Sequence, residues 1–133
     1  MKSIEVVAGI IFNEDRSQVL LAFRKPEQHQ GDRWEFPGGK MESGESQAKA
    51  LKRELFEELA LSVQHSEHRH TQQHSYSDKQ VCLHFWDVTK FSGTPTGCEG
   101  QQLQWVPIAQ LANLRFPKAN QVIVDELIRQ ENS

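Results

Sequence analysis

Residues 36–61 leave the chain fewer choices than any other stretch. They read Phe-Pro-Gly-Gly-Lys, then Met-Glu-Ser-Gly-Glu, then Ser-Gln-Ala-Lys-Ala-Leu-Lys-Arg-Glu-Leu-Phe-Glu-Glu-Leu-Ala-Leu. The first part predicts a loop. Pro37 fixes the entry, and Gly38, Gly39 and Gly44 free the backbone for conformations that other residues resist. The second part predicts a helix built of good helix formers, with Ser46 as its N-cap. At about 100° per residue, Ala48, Leu51, Leu55 and Leu59 fall on one stripe, which must face a core.

Glu54, Glu57 and Glu58 fall together on another flank of the same helix. At i, i+3, i+4 spacing their carboxylates are neighbours, and each like-charged pair costs a few tenths of a kcal/mol on an exposed helix. One reading is a solvated acidic face, the usual fate of a charge run. The other is a site for divalent cations, which turn the repulsion into attraction. Carboxylates, a backbone carbonyl and substrate phosphates are the ligands that Mg²⁺ or Mn²⁺ prefers.

The Gly-rich segment before them and the wider spacing favour the second. Gly39, five residues, Glu45, seven residues, Arg53-Glu54-Leu55, one residue, Glu57-Glu58, one residue and Ala60-Leu61 resembles the signature of the Nudix family. So many fixed positions over so short a span make a chance match improbable. Ala60 departs from the pattern, which usually has glycine there. Glycine suits a left-handed helix end, where alanine costs about 1 kcal/mol. The departure removes no candidate ligand.

The rest of the chain is consistent with one enzyme domain. Its 133 residues suit a single core. A net charge of −3 argues against a duplex DNA or RNA binder, which needs a basic stripe. The N-terminal Met-Lys-Ser-Ile-Glu lacks the apolar run of a signal peptide, and no stretch approaches the roughly 20 apolar residues of a membrane span. Cys82 and Cys98 form no CxxC pair and read as reduced thiols. A cytoplasmic monomer with a small-molecule substrate is the expectation.

Residues 4–12 predict a strand buried on both faces. Residues 13–17 predict a turn and 18–24 a second strand, the two strands together forming a hairpin. A polar loop over 25–32 and a short strand at Trp34-Glu35-Phe36 lead into the Gly-rich segment. Residues 65–78 predict a solvated strand and loop. His65, His68, His70 and His74 lie there at spacings that fit no tidy zinc pattern. Strands follow over 80–88 and 102–106, separated by a loop over 91–100. A helical turn over 107–111 and a last helix over 120–130 complete the pattern, the helix with Val122, Ile123, Leu127 and Ile128 inward. Strands interrupted by one helix and ended by another predict an α/β class with a mixed sheet between helices. The resemblance sharpens this to the Nudix fold, an α/β/α sandwich.

The resemblance implies hydrolysis of a nucleoside diphosphate linked to another group, with divalent metal bridging acids and phosphates. It implies that Glu57, Glu58 and the Gly38 carbonyl ligate the metal, Mg²⁺ with Mn²⁺ as a substitute. Glu54 would be a further ligand or the general base, Lys40 would neutralise phosphate charge, and Glu45 and Arg53 would form a structural ion pair. Glu99 would close the metal site from a loop, unless it is an ordinary loop acid. Further matching groups are residues 7–11 and 34–40, Phe85-Trp86, Glu99-Gly100-Gln101, Phe116-Pro117 and Ala119-Asn120. They extend the resemblance to family members that hydrolyse 8-oxo-dGTP to 8-oxo-dGMP and pyrophosphate. Arg24, His29, Glu35, Phe36, Pro37 and Gly38 match nucleotide contacts of those enzymes, and Asn120 matches an asparagine that reads the base. Lys79 stands where they have arginine. Asn120 has a plain alternative as N-cap of the last helix. Two other functions compete: hydrolysis of another triphosphate such as CTP or dCTP, and nucleotide binding without catalysis. The intact set Glu54, Glu57 and Glu58 argues against the latter, since a mere binder gains little from crowding acids together.

Overall fold

The computed structural model describes residues 2–24 and 32–132. In chain order it contains β1 (Lys2–Ile11), β2 (Gln18–Arg24), β3 (Arg33–Glu35), β4 (Gly38–Lys40), α1 (Gln47–Leu59), β5 (Ser62–Ser75), β6 (Lys79–Ser92), β7 (Leu103–Pro107), a 3₁₀ turn (Ile108–Asn113) and α2 (Lys118–Glu131). The strands form two sheets. One is mixed, in the order β4-β1-β6-β5, with β1 and β6 parallel, and the other is antiparallel, in the order β3-β2-β7.

β1 explains why the chain layers as it does. Its apolar side chains point both ways, as a doubly buried strand requires. Val7 and Ile11 pack with Leu51, Leu55 and Leu59 of α1. Ala8 and Ile10 pack with Ile123, Val124 and Leu127 of α2. The helices therefore cover opposite faces of the mixed sheet, which is the expected α/β layering.

The predicted hairpin does not form. The turn is present, closed by Asn13 Oδ1 accepting from Gln18 N at 2.9 Å and by Asp15 Oδ1 accepting from Ser17 N at 3.0 Å. However, β1 has β6 along one edge and β4 on the other, so β2 meets it only at the Phe12–Val19 bridge. β2 pairs instead with β3 and β7, in the other sheet.

The predicted loop at Pro37–Lys40 is corrected in the same way, since Gly38–Lys40 is a strand pairing with residues 6–8 of β1. Gly38 and Gly39 serve close approach rather than unusual φ. A Cβ on Gly38 would lie 1.9 Å from the Val7 carbonyl oxygen. Of the three glycines in that segment only Gly44 has positive φ, at 79°.

Helix α1 forms as its pattern demands. Ser46 caps it, accepting from Lys49 N, and Ala50, Leu51, Leu55 and Leu59 are buried, with Ala48 at the stripe's margin. Ala60 adopts the left-handed cap that the family usually gives to glycine, φ 59°, with its N–H directed at the carbonyls of Leu55 and Phe56.

The polar segment after it is almost wholly strand. β5 runs to Ser75 against β6, with bulges near His65 and between His68 and His70. β6 in turn continues through Phe91 and Ser92, so the predicted loop starts later. Arg69, unremarked in the sequence, links β5, β6 and α2. It bonds Asp87 through two nitrogens at 2.6 and 3.0 Å and Glu126 at 2.5 Å. Helix α2 begins at Lys118, two residues earlier than predicted. It buries Ile123, Val124 and Leu127, while Val122 is exposed. No helix among the described residues is long and apolar enough to cross a membrane.

Candidate active site

β3 and β4 belong to different sheets, so residues 36–37 must cross between them. The crossing is held from both sides. Gly9 N donates to the Pro37 carbonyl at 2.8 Å, and Phe36 stacks on Phe116 and meets Phe85 edge-on. It leaves the Phe36 N–H facing α2, where Asn120 Oδ1 accepts it at 3.2 Å.

That bond, with the start of α2, removes the capping alternative for Asn120. Pro117, with its fixed φ, stands at the N-cap, and no side chain caps the helix. Asn120 is the third residue of α2, 6% exposed. It is no cap. The Phe36 N–H identifies the oxygen of its amide, so Nδ2 is the atom left for the cleft. None of the described residues accepts from Nδ2, and that atom is not sealed from solvent.

Asn120 lines a cleft of about 260 Å³. Ile4, Val6, Val81 and Leu83 of the mixed sheet give it an apolar wall, and Arg24, Glu35, Phe36, Gly38 and Lys40 also face it. Arg24 Nη1 bonds Glu35 Oε1 at 2.9 Å. Burial pushes the Glu35 carboxyl up, against the pull of Arg24. Pro37 does not line the cleft: it is buried, and its carbonyl is taken by Gly9. His29 falls outside the described residues. Tyr76 and Lys79 line the cleft too, with the Lys79 ammonium 5.7 Å from the Tyr76 ring centre. Tyr76 had no signal in the sequence beyond being the one tyrosine of a polar segment.

The acids gather beside this cleft, and Gly39 is where the two meet. A Cβ at Gly39 would lie 2.2 Å from Glu54 Oε2, so only glycine lets the Glu54 carboxylate rest on β4. Arg53 holds the same corner. The predicted Glu45–Arg53 pair is present at 2.6 Å, and Arg53 also reaches Glu54 at 2.9 Å, Glu57 at 2.8 Å and the Lys40 carbonyl at 3.0 Å. Hydrogen bonds from Arg53 and from the Glu42 N–H hold the Glu45 carboxyl down at about 2. Glu54 is half-buried and its carboxyl is raised, burial outweighing Arg53.

Glu58 is the strained member. Arg53 bonds Glu54 and Glu57, but among the described residues no cation pairs with Glu58. Burial first, then Glu54, Glu99, Glu35 and Glu57, push its carboxyl up to about 8. Glu99 is brought there by its loop. Cys98 N and Gln101 Nε2 both donate to the Glu58 carbonyl, at 3.0 and 3.2 Å, and Glu99 N donates to Gln101 Oε1 at 2.9 Å. The loop thus sets the exposed Glu99 where its charge acts on Glu54 and Glu58. The expectation of an exposed acidic flank holds for Glu57 alone, whose side chain is 55% exposed against 14% for Glu54.

Glu54, Glu57, Glu58 and Glu99 are hard oxygen donors whose mutual repulsion exceeds what one arginine offsets, and Gly38 precedes the Gly39 on which Glu54 rests. A divalent cation fits that donor set. The scattered histidines do not make another: His65 bonds Glu67, His70 bonds Gln72, and His68 and His74 meet the rings of Trp86 and Tyr76.

Comparison with known proteins decides the family. The family model described as NUDIX domain matches residues 7–126. The chain belongs to the Nudix hydrolase family. Among its Nudix relatives, the 8-oxo-dGTP diphosphatase of Escherichia coli (strain K12) is 35% identical over 129 residues, 97% of this chain and 99% of that protein. The CTP pyrophosphohydrolase of the same strain is 45% identical over 105 residues, covering 79% of this chain and 76% of its own. A solved MutT structure, from work on Aliivibrio salmonicida and Vibrio cholerae, superposes with a TM-score of 0.85 at 45% identity, covering 97% of this chain and 99% of that one.

Proposed function

We propose that this chain, acting as a cytoplasmic monomer with one Nudix domain, hydrolyses 8-oxo-dGTP to 8-oxo-dGMP and pyrophosphate and so removes an oxidised nucleotide from the precursor pool. The observation that carries the choice of base is the Phe36 N–H bond to Asn120 Oδ1, which turns the amide of Asn120 toward the cleft in one fixed orientation. Guanine presents two acceptors, O6 and N7, along one edge. Oxidation at C8 makes N7 a donor. Nδ2 then donates to O6, and Oδ1, which has a second lone pair, accepts from N7–H. Against guanine the second bond is missing and acceptor faces acceptor.

Glu57, Glu58 and the Gly38 carbonyl are the residues to hold Mg²⁺, or Mn²⁺ in its place, with Glu54 and Glu99 completing the set. The cation would neutralise phosphate charge and lower the pKa of a bound water. Arg53 fixes Glu54 and Glu57 in orientation, which is the positioning that phosphoryl transfer depends on. Glu54, raised by burial and resting on Gly39, serves as a further ligand or as the base that takes the proton of the attacking water. Lys40 is exposed at the cleft and offers its ammonium to a phosphate. Arg24, Glu35 and Phe36 hold the nucleoside side.

The similarity to a CTP pyrophosphohydrolase supports a second reading, in which the same acids act on CTP or dCTP. The chemistry itself is tested by hydrolysis in ¹⁸O-water. The reading expects a nucleoside monophosphate, with the label in pyrophosphate. Release of inorganic phosphate and a diphosphate contradicts it.

A further inference from the structure

Away from the acidic cluster, the mixed sheet carries a second and chemically different set of side chains. Glu5 and Cys82 are register partners of the parallel pair β1 and β6, and His84 follows two residues along β6. All three therefore leave the sheet on one face, the face that α1 covers further along at Val7, Ile11 and Val88. A Glu5 carboxylate oxygen, the Cys82 sulfur and a His84 ring nitrogen all lie within 4.8 Å of one another. Cys82 and His84 are 8% and 6% exposed, while the Glu5 side chain is 48% exposed. His84 Nε2 is 2.9 Å from Glu5 Oε1, and its Nδ1 is 3.0 Å from Thr71 Oγ1, on the register partner in β5.

We propose that Glu5, Cys82 and His84 form a second metal site, for a borderline-soft divalent ion such as Zn²⁺, separate from the oxygen-donor site of the glutamates. One sulfur, one imidazole nitrogen and one carboxylate oxygen are a ligand set that Zn²⁺ takes, whereas Mg²⁺ has no use for a thiol. With Zn–N and Zn–O bonds of 2.0–2.2 Å, tetrahedral ligands stand about 3.3 Å apart. Glu5 and His84 thus need to part by only a few tenths of an ångström. The Thr71 hydroxyl already holds the far ring nitrogen, the outer contact that a metal-bound histidine usually has. Two paired strands make the frame rigid. The exposed side of Glu5 leaves a fourth position to water. Burial and the Glu5 carboxylate push the Cys82 thiol up, so its proton leaves to solvent as the metal enters. Cys98, exposed and outside this group of ligands, offers a built-in control.

The test is titration of the whole protein with Co²⁺ in excess Mg²⁺, followed by absorption. The expected result is one Co²⁺ per chain, with a thiolate-to-cobalt charge-transfer band and the strong visible bands of four-coordination. Cys82→Ser should abolish the charge-transfer band, Cys98→Ser should leave it, and His84→Ala should weaken binding at least tenfold. Zn²⁺ added afterwards should bleach the signal. No charge-transfer band in the wild-type protein overturns the proposal. So does a band that survives Cys82→Ser or that Zn²⁺ fails to bleach. Circular dichroism of each variant confirms that loss of the band is not loss of the fold.

Discussion

Replacing Asn120 by alanine and by aspartate separates two tasks of one side chain. Alanine removes both. The buried Phe36 N–H loses its acceptor, an unsatisfied group worth about 1–3 kcal/mol. For a chain of this length that lowers the melting temperature by roughly 3–15 °C. The bidentate contact with the oxidised base is lost as well, worth about 1–3 kcal/mol of discrimination, or roughly 5- to 150-fold. Aspartate keeps an oxygen for Phe36 N–H, so it should melt above the alanine variant. Ionised, it has no donor for O6, so it should lose selectivity all the same. The assay is kcat/KM for 8-oxo-dGTP and dGTP in the three proteins, with a thermal melt of each. In both variants the 8-oxo-dGTP value should fall steeply while dGTP changes little. If Asn120→Ala melts early but either variant keeps the wild-type ratio of the two kcat/KM values, Asn120 supports the Phe36–Pro37 crossing and does not read the base.

Activity should be absent without divalent metal, and Glu57→Gln or Glu58→Gln should lower kcat by at least a hundredfold, a loss of several kcal/mol of charge stabilisation, with the fold retained; near wild-type kcat in either folded variant refutes their assignment. The metal-free protein should lose stability as pH rises from about 5 to 8, because the raised Glu58 carboxyl makes the folded state bind the extra proton across that window. Thermal melts across pH should show the decline flattened by Mg²⁺ and by Glu58→Gln, and an equal slope in all three samples contradicts this. Ala60→Gly should raise the melting temperature by a few degrees, since the left-handed cap at φ 59° costs alanine about 1 kcal/mol; a lower melting temperature would show that the cap is unstrained.

What was legible in the sequence was local. The α1 stripe, its Ser46 cap and the Glu45–Arg53 pair all lie within a few turns of one another, where periodicity and spacing act directly. What was not legible depends on distant partners. Asn120 kept a capping alternative because asparagine favours that place, but Pro117 starts the helix earlier and Phe36, 84 residues away, takes the side-chain oxygen. Gly38 and Gly39 looked like a loop because glycine marks turns as well as close packing, and only the Val7 carbonyl and the Glu54 carboxylate reveal which. Two strands joined by a good turn looked like a hairpin, until both edges of β1 proved to be taken. The burial that raises Glu58, and the loop bonds that bring Glu99 to it, have no signature in the residues themselves.

One measurement bears most directly on the whole account: kcat/KM with Mg²⁺ for 8-oxo-dGTP, dGTP, CTP and dCTP, followed by pyrophosphate release. The cleft, the fixed amide of Asn120 and the acids beside Gly39 predict that 8-oxo-dGTP exceeds each of the others by tenfold or more. A preference for CTP or dCTP over 8-oxo-dGTP contradicts it and gives the site to the pyrimidine reading.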